Sequence, residues 1–240
     1  MTIKTEDIPY ADGTVACNGM LAYDDALTGK RPGVLVVHEG FGLGEHAIER
    51  AKMLAKEGYV AFAADLFGGR RQVGPGELMS VIGALAGDPP VLRKRAKAGL
   101  AVLAARPEVD AAKLFAIGFC FGGTTALELA RDGTDLLGVV GFHSGLQTRA
   151  PAQPGAVKAS VLAMIGADDG LIPADQRVAF EEEMRKAGAD WQLLVYGNTR
   201  HSFTNPAANG TVMPDIVYNA KADQRSWRAM LDFFAERLKA

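Results

Sequence analysis

The segment Leu114-Phe-Ala-Ile-Gly118-Phe-Cys120-Phe-Gly-Gly123 decides how this chain is read. Its first half is a short apolar run, the mark of a strand buried on both faces. Its second half opens a helical stretch over 122–131 that stops at Gly133. Between the two lies Gly-x-Cys-x-Gly, the pattern of a sharp strand-to-helix turn that holds a nucleophile in a strained conformation. Residues two positions from the nucleophile must be small there, or their side chains collide. The turn leaves the thiol at a helix N-terminus, where unpaired N–H groups favour a thiolate. It also sets the backbone N–H of Phe121 to stabilise an oxyanion. Taken alone the pattern is loose, because cysteine between glycines is often just a buried structural thiol.

The flanks repeat the strand–helix alternation. Apolar runs at 33–38, 59–64, 137–142, 160–165 and 191–196 read as further buried strands. Helical spacing covers 45–57, 77–86, 90–105, 174–187 and 220–238. In the last of these, Trp227, Met230, Leu231, Phe234 and Leu238 form one apolar stripe. Turn signals at Asp12-Gly13 and Thr28-Gly29 predict an N-terminal hairpin. The expected fold is therefore α/β, a mainly parallel central sheet flanked by helices on both faces. No composition shift marks a linker, so residues 1–240 are read as a single domain.

Composition narrows the function. The 240 residues carry a formal charge of −2 and are 48% hydrophobic, which gives no electrostatic footprint for nucleic acid or an anionic membrane. No run approaches a membrane span, and the N-terminus lacks a signal-peptide core. Two cysteines, Cys17 and Cys120, make no disulfide framework, so a cytoplasmic protein with reduced thiols is expected. No His or Cys spacing suits a metal, and no cofactor is expected.

In open α/β sheets, ligands gather beyond the carboxyl ends of the strands. The residues there are His38-Glu39, Asp65, Cys120, His143-Ser144, Asp168-Asp169 and His201. A nucleophile, then an acid after the fifth strand, then a histidine after the sixth is the chain order of α/β hydrolases. Spacing alone does not separate Asp168 from Asp169. Phe41, Phe67, Phe119, Phe121 and Phe203 cluster beside these segments. Some of them, Phe41 and Phe203 among the candidates, are expected to line an apolar pocket for an aryl or alkyl ester. His143 is a further pocket candidate, and His38 is expected to pack behind the neighbouring loop.

The segments Val36-Val-His-Glu39-Gly-Phe-Gly42, Ala63-Ala-Asp65-Leu-Phe67, Gly118-Phe-Cys120-Phe-Gly-Gly123, Gly166-Ala-Asp-Asp169-Gly-Leu-Ile-Pro173 and His201-Ser-Phe203 together resemble the dienelactone hydrolase family of α/β hydrolases. The likeness spans nearly the whole chain and implies the α/β-hydrolase fold. It implies Cys120 as nucleophile, His201 as base and then acid, and Asp169, four residues before Pro173, as the residue that orients the imidazole. It also implies that Glu39 takes part in activating the thiol and that the N–H of Gly40 is a second oxyanion donor. Family members bind a substrate carboxylate with arginines, one from the region of Arg70 and Arg71. The second, four residues after the histidine, is Asn205 here, which favours a neutral or aryl ester over a dienelactone.

The expected activity is hydrolysis of a small-molecule ester or lactone through a thioester. Other activated esters such as phosphotriesters are an alternative, as is a non-catalytic binding or redox-sensing scaffold. The protein is expected to be a monomer or homodimer.

Overall fold

The computed structural model describes residues 2–239. Among the described residues, eight strands form one sheet: β1 (Ile3–Asp12), β2 (Val15–Asp24), β3 (Arg31–Val37), β4 (Val60–Ala64), β5 (Val109–Phe119), β6 (Gly138–Phe142), β7 (Ser160–Gly166) and β8 (Trp191–Tyr196). Six helices accompany them: α1 (Glu45–Lys56), α2 (Leu78–Ala86), α3 (Pro89–Ala104), α4 (Phe121–Arg131), α5 (Ala174–Ala187) and α6 (Ala220–Arg237). The sheet order is β1-β2-β4-β3-β5-β6-β7-β8. Strands β4 to β8 and β3 run parallel, while the β1–β2 hairpin joins β4 antiparallel. This is the α/β-hydrolase fold, as expected.

Period-2 alternation sorts each strand's side chains onto two cores. In β3, Leu35 and Val37 join one apolar cluster with Leu92, Ala96 and Leu103 of α3 and Leu127 of α4. Val34 and Val36 join the other, with Ala51 and Leu54 of α1 and Met230 and Phe234 of α6. Burying one such leucine or phenylalanine contributes about 1.5–3 kcal/mol, so the sheet is held from both sides. The apolar stripe of α6 faces the second core through Met230, Phe233 and Phe234.

Strand β5 is longer than its apolar run. Asp110 to Lys113 are largely exposed, and their polarity hides the strand's beginning from a reading by hydrophobicity. They enter the sheet through the pairing of Arg31 with Val109, and the register shifts between Pro32 and Gly33.

The chain reverses its direction of sheet growth around β3, from which β4 lies to one side and β5 to the other. At such a switch point the loops after adjacent strands diverge and leave a crevice. Val37 is paired with Gly118, so the loop after β3, with Glu39, and the loop after β5, with Cys120, begin side by side.

Candidate active site

Cys120 is the N-cap of α4 and has φ +54° and ψ −117°. A non-glycine residue there costs about 1–3 kcal/mol, offset by what the surroundings fix. Its amide donates to Phe142 O at 2.9 Å and faces His143 Nδ1 at 3.1 Å. The flanking glycines are required by close backbone approach. A Cβ on Gly118 would lie 2.0 Å from Gly122 O, and one on Gly122 would lie 2.2 Å from Val37 O. Gly123 is similarly confined: a Cβ there would lie 1.9 Å from Ser144 Oγ. Phe121 is the first residue of α4, where an N–H has no intrahelical partner.

His201 and Asp169 are buried and meet through Nδ1 and Oδ2 at 2.8 Å. The other oxygen, Oδ1, accepts the N–H of Leu171 at 3.0 Å and fixes the carboxylate plane. Asp168 is exposed, so burial separates the adjacent pair that spacing left open. On the far side of the ring, Nε2 is buried and makes no hydrogen bond among the described residues. Burial alone would push the imidazole down. The electrostatic pull of Cys120, the hydrogen bond with Asp169 and the proximity of the sulfur outweigh it and raise the pKa to about 10. Cysteine and histidine, 81 positions apart in the sequence, are therefore brought together.

Glu39 stands at the end of β3. Its Oε2 accepts Asn205 Nδ2–H at 2.8 Å and lies 3.5 Å from His46 Nδ1, an ion-pair distance rather than a hydrogen bond. Its Oε1 is buried without a hydrogen-bond partner among the described residues. Burial would push this carboxyl up, but His46, Asn205 and the charge of His201 hold it below the ordinary range. The next peptide is pinned as well. Leu66 N–H donates to His38 Nε2 at 3.1 Å, which leaves the ring proton on Nδ1 to donate to Glu39 O at 2.6 Å. That carbonyl belongs to the peptide unit whose other end is Gly40 N–H. Burial keeps the His38 ring below its usual pKa and hence neutral. Helix α2 covers this loop: a Cβ on Gly40 would lie 2.4 Å from Ile82 Cδ1 and 2.8 Å from Leu78 Cδ1.

A cavity of about 530 Å³ adjoins Glu39 and is lined by Phe41, His46, Met53, Asn205 and Ala207 among others. A second, of about 540 Å³, lies between α2, α5 and the loop after β6, and neither cavity is lined by Cys120 or His201. The first is tied to the site through Glu39 and Asn205, which are hydrogen-bonded to each other.

Three expected pocket residues lie elsewhere. Phe203 and His143 are fully buried, packed edge-on against each other with ring centroids 5.1 Å apart, so neither presents surface to a ligand. Arg70 is spent on the N-terminal hairpin. Its Nε donates to Asn18 O at 2.8 Å, its Nη2 to Gly19 O at 2.9 Å, and its Nη1 to Asp7 Oδ2 at 3.0 Å. Arg71 pairs with Glu77 on the surface. Phe41 keeps its place at the cavity. The sequence reading missed His46 and Thr204. The two meet each other across 158 positions of sequence, and no local spacing announces that.

Among the described residues, no group of three or more His, Cys, Asp or Glu side chains is arranged to hold a metal ion. No helix among them is long and apolar enough to cross a membrane.

The sheet order, the turn after β5 and the buried Asp–His pair after β7 and β8 make this an α/β hydrolase. Within that class, residues 18–238 match the model of the dienelactone hydrolase family, and the chain belongs to that family, a group of hydrolases that act on ester bonds. It is similar to a solved dienelactone hydrolase-like promiscuous phosphotriesterase from metagenomic libraries, with 42% identity and a TM-score of 0.92 over 98% of this chain and 99% of that one. A second solved structure, m3DLH, is 44% identical with a TM-score of 0.94 over the same shares of each chain. A Yersinia pestis protein, provisionally named a carboxymethylenebutenolidase, is 30% identical over 98% of this chain and 91% of its own.

Proposed function

We propose that the chain, as one α/β-hydrolase domain, hydrolyses neutral or aryl carboxylic esters and lactones through a thioester on Cys120. The observation that carries this is His201, bonded to buried Asp169 on one side and raised by the thiol on the other. With the imidazole raised to about 10, His201 is an imidazolium at neutral pH, and the attacking species beside it is the thiolate that a helix N-terminus favours.

In the first half-reaction the sulfur forms a bond to the acyl carbon, and the carbonyl electrons move to oxygen. The N–H groups of Phe121 and Gly40 receive that oxyanion. Its collapse breaks the C–O bond, and His201 gives its proton to the departing alkoxide. The sulfur is then an uncharged thioester, so the main support for a protonated imidazole has gone. His201, now neutral, accepts a proton from water as the water oxygen attacks. The second tetrahedral intermediate expels the thiolate, which restores the ion pair. Asp169 holds the Nδ1–H tautomer throughout. Glu39 contributes to thiol activation through its charge, which favours the proton on His201.

The charge pattern supports a neutral substrate. Arg70 is committed to the hairpin, and Asn205 is engaged by Glu39. In the cavity beside Glu39, Arg50 is paired with Asp223 at 2.7 Å, while Phe41, Met53 and Ala207 offer apolar wall to an aryl or alkyl arm. A second reading, turnover of phosphotriesters at the same thiol, is favoured by the 42% identity with the promiscuous phosphotriesterase.

A panel of neutral aryl esters, carboxylate-bearing esters, lactones and phosphotriesters tests both readings. Cys120→Ala is expected to lower ester turnover by about 10³-fold or more and to abolish an acyl adduct seen by mass spectrometry in the wild type. Full activity in Cys120→Ala would overturn the mechanism, and a preference for carboxylate-bearing esters would overturn the substrate class. If activity tracks Cys120 only with phosphotriesters, the second reading replaces the first.

A further inference from the structure

Next to the His201 ring lies another imidazole, that of His143, which no step above uses. It is fully buried, with its ring edge-on to His201 at 5.1 Å between centroids. Its φ is +41°, a left-handed conformation that a β-carbon residue keeps only when its surroundings demand it.

The two ring nitrogens are spent in opposite senses. Nδ1 faces the amide of Cys120 at 3.1 Å and shares its proton with Phe142 O at 2.9 Å. An amide can only donate, so Nδ1 carries no proton. Nε2 must then carry it and donate to Thr204 Oγ1 at 2.8 Å. The elbow's own amide thus sets the tautomer. Burial and the positive charges of His201, His46 and Arg50 hold this ring well below the usual imidazole pKa, so it stays neutral beside an imidazolium.

Thr204 lies three residues past His201, on a loop that bends through Ser202 at φ +55°. Its carbonyl is gripped by Arg50 Nη2, and Arg50 is in turn held by Asp223 of α6 at 2.7 Å. Thr204 is therefore an anchored point, not a free hydroxyl. His143 bridges that point to the nucleophile's backbone.

We propose that His143 is a positioning residue. By bonding the elbow amide through Nδ1 and Thr204 through Nε2, it sets where the Cys120 sulfur stands relative to the His201 ring. The inference rests on the reading of Cys120 and His201 as the reacting pair. Loss of the bridge displaces the pair without altering the substrate cavity, so it acts on kcat and leaves KM alone. Misplacement by about 1 Å costs on the order of 10²-fold in such alignments.

The test is a double-mutant cycle on the intact enzyme with a neutral aryl ester. Thr204→Val is nearly isosteric and removes the acceptor together with the longer contact of Oγ1 to His46 Nε2 at 3.4 Å. His143→Asn tolerates the positive φ and keeps an acceptor for the elbow amide, but is too short to reach Thr204. Each single variant is expected to lower kcat by about 10- to 100-fold with KM changed by less than about twofold. The double variant is expected to lose no more than the worse single one, because both break the same bridge. Thr204→Ser, which restores the hydroxyl, is expected to return kcat to within about threefold of wild type.

A folded Thr204→Val enzyme with wild-type kcat overturns the proposal, as does a double variant whose losses multiply. A KM effect without a kcat effect overturns it too. These outcomes are separable from failure of the underlying mechanism, which would show as activity surviving Cys120→Ala.

Discussion

Past the parallel strands β4 and β7 stand two buried aspartates, and they spend their oxygens differently. After β4, Asp65 is fully buried and accepts four backbone amides: Phe67 and Gly68 on Oδ1 at 3.1 and 2.9 Å, Asn18 and Arg70 on Oδ2 at 3.1 and 2.8 Å. After β7, Asp169 accepts one backbone amide on Oδ1 and keeps Oδ2 for an imidazole. The first carboxylate ties a loop and a hairpin to the sheet. The second is half structural and half chemical, and its chemical half faces a titratable ring. A strand-end aspartate in this fold is thus read from what its oxygens touch, since position alone gives both the same prominence.

The largest expected effects separate these two roles. Asp169→Asn puts an amide where the carboxylate met His201, and the imidazole loses the acceptor that fixes its tautomer. Turnover of a neutral ester is expected to fall by about 10³- to 10⁴-fold. Asp65→Asn does the reverse. One side-chain oxygen becomes a donor that faces backbone donors, each unsatisfied group costing about 1–3 kcal/mol, so unfolding is expected about 3–5 kcal/mol sooner. The molecules still folded should turn over ester with near wild-type kcat. Denaturant titration and initial rates on both variants check this. A large rate loss with full stability in Asp65→Asn would erase the distinction.

The next prediction sharpens the chemical half. In the unfolded chain His201 titrates near 6.5, and in the folded chain near 10. The folded state binds the proton more tightly, so this contribution to stability is fully present below pH 6.5. It fades as pH rises and is lost through pH 10. The electrostatic pull of Cys120 is the largest influence that raises the pKa, so Cys120→Ser should bring the imidazole down toward its ordinary range. An NMR titration of the His201 ring in both proteins measures the difference. An unshifted midpoint in Cys120→Ser would mean that Asp169 alone holds the proton.

Much of this was legible in the sequence, for identifiable reasons. Gly118, Cys120 and Gly122 announce the elbow because a Cβ on either glycine would lie 2.0 or 2.2 Å from a backbone oxygen, which leaves no room for a side chain. Helix α5 is bounded as read, because Gly188, in the left-handed region, ends it and Pro173 precedes it. Less legible was anything decided by a distant donor. Arg70 has the composition of a substrate ligand, but its guanidinium is claimed by carbonyls of β2, more than 50 positions away. His143 sits at a strand end like a pocket residue, yet its ring turns inward to the elbow amide and Thr204. Both sites of error are side chains whose direction depends on long-range partners, which no local spacing encodes.

The smallest expected effect bears on the Asp65 side of the comparison. Arg70 gives its amide to Asp65 and its guanidinium to Asn18, Gly19 and Asp7, so backbone and side chain serve the same junction between loop and hairpin. Asp7 is 58% exposed, and an ion pair in such surroundings contributes about 1 kcal/mol at most. The two carbonyl contacts add a similar amount. Arg70→Gln is therefore expected to cost about 1–2 kcal/mol and to leave kcat and KM for neutral esters within about twofold. The decisive measurement is KM for a carboxylate-bearing ester against its neutral analogue. If Arg70 were a substrate ligand, the variant would raise the first about tenfold or more and spare the second, as loss of a charge-assisted pair does. Equal values for both place this guanidinium with Asp65 in the architecture and leave the substrate's charge to be sorted by Glu39 and Asn205.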